Sequence, residues 1–184
     1  MKTKFVLPIS LLAAAVCTTA ADTPRVSRPL LATIEKSLDD RISKLWVDNP
    51  LALMGSTRGV YLAGYGAVFT TEVNMAIGGA TLMHTQWTKA DKDRHHQQKI
   101  ERLPQLKQLL KQTLLESAAL PALDAVPLDE QIYLAAFLSR YPWEDPSGIP
   151  AQVIVQAPKK KLLEVQRAGG AAAALDQVVR VTEF

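Results

Sequence analysis

The residues that could do chemistry in this chain are three histidines, one pair of neighbouring acids and two glycine-flanked polar turns. His95 follows Asp91 by four residues and His96 follows Asp93 by three, so each pair would share one face of a helix. A zinc or copper site needs further ligands converging from elsewhere, and no spacing marks them, His84 included. Consecutive side chains on a helix point about 100° apart. With Lys92, Arg94 and Lys99 alongside, the expectation is a solvated charged face that holds no metal.

The acids stand in "RYPWEDPSGIP" (Arg140–Pro150), the most distinctive loop of the chain. Trp143 offers a platform for a ligand, and Glu144 and Asp145 offer carboxylates. Paired acids can cleave glycosides only when held several ångströms apart across the sugar, which adjacent loop residues seldom achieve. The alternative is a hairpin connection using Pro, Asp and Gly as turn residues, with Trp143 packed on the sheet edge. Tyr65, in Gly64-Tyr65-Gly66, is a further candidate ligand contact. Its glycines would let backbone amides approach an anion, but they suit the tip of a β-hairpin better. "GSTRG" (Gly55–Gly59) could hold an anion through Arg58, and also reads as a plain turn. Neither a nucleotide-binding glycine pattern nor a nucleophilic serine motif is present, and no cofactor is expected.

The elements that must position these residues follow from periodicity. Leu31, Ile34, Leu38, Ile42 and Leu45 recur at helical steps, after a Ser27 cap and Pro29 in the first turn and before an Asn49-Pro50 stop. Val60–Leu62 and Val68–Val73 read as the two strands of a hairpin. A polar helix is expected from about Thr88 to Leu103, where Pro104 breaks it, kinks it or opens a second helix carrying Leu106 to Leu115. Gln131–Arg140 is apolar on both faces; it reads as a buried strand, with helix as the alternative. "AQVIVQA" is a strand, Lys159–Arg167 a helix stopped by Gly169-Gly170, and "QVVRVTEF" a last strand. The expected fold class is α+β: a mainly antiparallel sheet of about five strands packed against helices, in a single domain over residues 22–184.

Residues 1–21 have the layout of a secretory signal peptide: Lys2 and Lys4, an apolar run from Phe5 to Val16, then small residues before a cleavage site near Ala21. Cleavage would remove Cys17, the one cysteine, and with it any disulfide or thiol chemistry. It would also leave 163 residues and 19 basic against 18 acidic side chains, a net charge of about +1. No clustered basic stripe points to nucleic acid, and no later segment is apolar for long enough to span a bilayer.

Three stretches, "RGVYLAGYGAVFTTEVN", "YPWEDPSGIPAQVIVQAP" and "VVRVTEF", give the chain a look similar to a group of uncharacterised exported bacterial proteins. That resemblance implies one exported domain and supports the strand reading of Gln131–Arg140. It carries no activity with it. Together these features lead to a periplasmic or secreted, non-catalytic domain that binds a protein partner or belongs to the cell envelope, with an edge strand open to pairing. The rival is a hydrolase or transferase drawing on Glu72, His84, Glu144 or Asp145.

Overall fold

The computed structural model describes residues 26–46, 51–76 and 87–184. The expected signal peptide, the Asn49-Pro50 stop and His84 lie outside these residues.

The first helix, α1 (Arg28–Ser43), forms where the apolar stripe demanded it, and Leu31, Ile34, Leu38 and Ile42 are buried along it. Ser27 occupies the N-cap, but its side chain makes no capping hydrogen bond; its carbonyl accepts instead from the amides of Leu30 and Leu31. A two-residue strand, β1 (Ala52–Leu53), precedes the hairpin of β2 (Arg58–Leu62) and β3 (Gly66–Asn74). Gly64 and Gly66 take φ of 84° and 127° at its tip, the positive values that the turn reading required.

One helix then runs unbroken through Pro104: α2 (Lys89–Ser117). The expected boundary at Leu103 does not exist. Proline removes one backbone donor, but Leu103, Leu106, Leu110 and Leu114 stay buried on the same side, and that packing outweighs the missing bond. Thr88 begins the helix with a reciprocal cap, its hydroxyl accepting from the Asp91 amide while Asp91 accepts from the Thr88 amide. A 3-10 turn at Pro121–Leu123 leads to β4 (Gln131–Leu138) and β5 (Gln152–Pro158), so the ambiguous segment is a strand. The helix α3 (Lys159–Arg167) follows directly. The chain end departs from expectation: α4 (Ala172–Val178) takes Gln177 and Val178 into a helix, leaving only β6 (Arg180–Glu183) as strand. An alanine-rich start and a fully buried Leu175 account for the helix.

Among the described residues the strands form a single sheet in the order β1-β3-β4-β5-β6, with β2 beside β1 on the outer side of β3. Four of the five pairings are antiparallel, and β3 with β4 is parallel. The sheet is therefore mixed. A parallel pair needs a long crossover, and α2 lies in that connection. Alternate side chains divide the sheet into unlike faces. Phe69, Val73, Ile132, Leu134, Val153 and Val155 are fully buried beneath the helices, while Val60, Leu62 and Phe137 on the other face stand 45–48% exposed. Among the described residues the domain is α+β, with its helices on one side of the sheet.

Candidate functional site: a buried lysine–glutamate–histidine cluster

The stripe on α2 does not stop where the leucines stop. Counting back from Leu110 and Leu106 in helical steps reaches Arg102, Lys99 and His95, and all three are buried. His95 and Lys99, four apart, point toward the connection between β4 and β5. That connection turns sharply at Pro142 and returns through Asp145–Gly148, where Asp145 accepts from the Ser147 amide at 2.9 Å and Gly148 takes φ 72°. Ile149 anchors it in the core. Glu144 is thereby aimed inward. It accepts from Lys99 Nζ at 2.6 Å and from the Tyr141 amide at 3.1 Å, and it lies 3.1 Å from His95 Nε2. Lys99 also donates to the Ser139 carbonyl at 3.1 Å.

Aromatic rings close over these groups. Tyr141 and Trp143 stack at 5.3 Å with planes 9° apart, Trp87 lies 4.4 Å from Trp143, and His95 lies 5.3 Å from it. Trp143 thus packs on the rings above α2, not on the sheet edge. The side chains of His95, Lys99 and Glu144 are 4%, 1% and 2% exposed. Burial pushes the Lys99 ammonium below its ordinary value even though Glu144 pulls the other way. Burial works to raise Glu144, but the hydrogen bonds from Lys99 and Tyr141 and the Lys99 charge hold it below the usual carboxylate range. Burial also lowers His95, with Glu144 opposing and Lys99 assisting. The cluster joins the Lys99 amine and the Glu144 carboxylate in a close pair, beside an imidazole whose burial favours the uncharged form.

The expectation of a solvated charged face on this helix is therefore corrected for His95 and Lys99. Each packs on the loop because the charge can be paired there; Lys92 stays outside, with its Nζ 5.9 Å from the Trp143 ring centre. The neighbouring acids divide: the Glu144 side chain is buried, whereas Asp145 is exposed and occupied with its own turn. They cannot flank one substrate. Glu72 is exposed on the sheet face opposite the helices, in register with Phe137 of β4, whereas Glu144 is turned toward α2 on the helix side. Tyr65 is 70% exposed at the hairpin tip, and its carbonyl accepts from the Gln131 amide where the β3–β4 ladder begins. Among the described residues no group of three or more His, Cys, Asp or Glu side chains is placed to hold a metal ion.

Other buried charges are used in the same way as the cluster. Glu35 pairs with Arg28 and accepts from the Gly59 amide at 2.6 Å, fixing the start of β2 to α1. Glu130 accepts from the Gly64 amide at 2.8 Å and from the Tyr61 hydroxyl at 3.2 Å. Lys159 donates to the carbonyls of Leu123 and Val126 at 2.7 and 2.9 Å. Beside Pro104, an open apolar groove of about 490 Å³ is lined by Leu45, Pro104, Leu109 and the stems of three glutamines. Comparison of the chain with protein-family models, with curated proteins and with solved structures yields no match. Its function must be read from its own residues.

Proposed function

We propose that this chain is an exported, non-catalytic binding domain of the bacterial periplasm or exterior, which meets a protein partner of the cell envelope with the uncovered face of its sheet. The observation that carries this reading is the burial of Lys99, Glu144 and His95 to 4% or less exposure. The side chains best suited to acid–base work are locked together beneath aromatic rings and tie a loop to a helix. A catalytic acid or base must reach a substrate proton within hydrogen-bond distance, and these groups are closed to any reactant. What the surface offers instead is apolar area: Val60, Leu62 and Phe137 exposed on a regular sheet face.

The layout of residues 1–21 and the resemblance to exported bacterial proteins support the location. Among the described residues no helix is long and apolar enough to cross a membrane. The test is capture from an envelope extract with the wild-type chain and with Phe137→Asp. A partner enriched by the wild type and lost in the variant supports the reading. Substrate turnover by the pure chain that disappears in Glu144→Gln would overturn it.

A further inference from the structure

We infer that the partner of the uncovered sheet face is a second copy of this chain, packed face to face as a two-layer sheet sandwich. This rests on the reading of that face as the binding surface. Register places its side chains in rows: Val60, Val68, Tyr133, Gln156 and Arg180 in one, and Arg58, Thr70, Ala135, Ile154 and Thr182 in the next. The middle of the two rows is uncharged, with Val68, Tyr133, Ala135 and Ile154 beside Thr70 and Gln156, and the charges stand at the perimeter, Arg58 on β2, Arg180 on β6 and Glu72 near the end of β3. A charge-depleted centre holding an aromatic ring, inside a polar rim, is the composition of a protein interface.

Size agrees with a pair. Strands about 4.8 Å apart and outward residues about 6.8 Å apart along them give a five-strand patch of roughly 600 Å² in projection. Side-chain relief brings this near the roughly 800 Å² that each partner contributes to a stable interface. Identical twisted sheets pack well face to face because their twists match, with strands about 30° apart. The symmetry also fits. β4 is the middle one of the five strands β2, β3, β4, β5 and β6. A two-fold axis lying between the sheets, about 15° from the β4 direction, lays β2 of one copy over β6 of the other.

The test is sedimentation of the purified chain from micromolar to hundred-micromolar concentration, for wild type and for Tyr133→Arg. The wild type is expected to sediment as a dimer. Tyr133→Arg should still unfold in one cooperative transition and weaken association roughly a hundredfold or more, because it buries a charge without a partner. In a Cys17→Ser background, Tyr133→Cys should cross-link to itself through a short bis-maleimide, while Lys36→Cys on the exposed side of α1 should not. A wild-type monomer at every concentration overturns the inference, as does cross-linking that is equal at both positions. If that monomer still captures an envelope protein in a manner lost on Tyr133→Arg, the second-copy assignment alone falls. If capture is unaffected by the substitution, the binding face falls with it.

Discussion

At the residue scale, buried charges tie a loop to a helix. Lys99 and Glu144 hold each other inside the protein, and neither can be changed alone without leaving a charge stranded. Lys99→Met is expected to cost about 3–5 kcal/mol, while the double variant Lys99→Met/Glu144→Leu should recover most of it, since an apolar pair of similar size often replaces a buried ion pair at little loss. Urea unfolding of the three proteins checks this. Because Lys99 lowers His95 and Glu144 raises it, the single variant should also titrate His95 at higher pH, visible by NMR. Acid should act on the cluster in two stages. His95 is depressed in the folded chain, so the unfolded chain takes up its proton first, and stability begins to fall below about pH 6.5. Glu144 is depressed as well, so its contribution is present above the ordinary carboxylate range and is lost as pH drops through it. Lys99 acts otherwise: its lowered value makes the unfolded chain hold the extra proton in alkaline solution, so stability rises with pH there. His95→Asn should remove the first acid stage and leave the second, as read from the urea midpoint against pH.

At the scale of elements, glycines at the hairpin tip make a contrast that composition alone would miss. Gly64 has φ 84° but open space where a Cβ would stand, so Gly64→Ala should cost about 1–2 kcal/mol for the left-handed backbone. Gly66 has φ 127°, and its Cβ would lie 1.7 Å from the Gln131 carbonyl oxygen, at the point where β3 meets β4. Gly66→Ala must part the parallel ladder at its first rung and should cost more than about 4 kcal/mol. Chemical denaturation with amide exchange in β4 separates the two. The hairpin itself was legible, because β-branched runs around a Gly-Tyr-Gly turn leave few alternatives. The parallel neighbour was not, since the partner of β3 lies more than fifty residues downstream, beyond α2. The end of the polar helix was also misplaced at Pro104: local propensity marks a break there, whereas burial of Leu106 and Leu110 continues the helix across it. The cluster was half legible. Glu144 stood out beside Trp143, but His95 and Lys99 looked like solvent-facing residues until the leucine stripe of α2 is extended backward through them.

For the whole molecule, the consequence is a sheet whose two faces live in different solvents. Helices α1 to α4 pack on one face, and buried charges bind the connections down, so a chain without disulfides in the described residues still holds its loops in place. The other face carries ordered rows in which Val60, Val68, Tyr133 and Ile154 stand among threonines and glutamines, with charges at the rim. The same residue type should therefore respond in opposite ways according to side. Phe69, on β3, is fully buried against the helices, and its truncation opens a cavity that the surrounding core cannot close. Phe69→Ala should cost about 3–5 kcal/mol, with a matching fall in the urea midpoint. Phe137, on the neighbouring β4, is 45% exposed on the uncovered face. At a concentration low enough for the single chain to predominate, Phe137→Ala should change stability by less than about 1 kcal/mol, because half of its surface is already in water and no cavity forms. A large loss from Phe137→Ala under those conditions would mean that the face is covered within one chain, and the two-sided description of the sheet would fail. A small loss that grows with protein concentration is the signature of a face designed to be covered from outside.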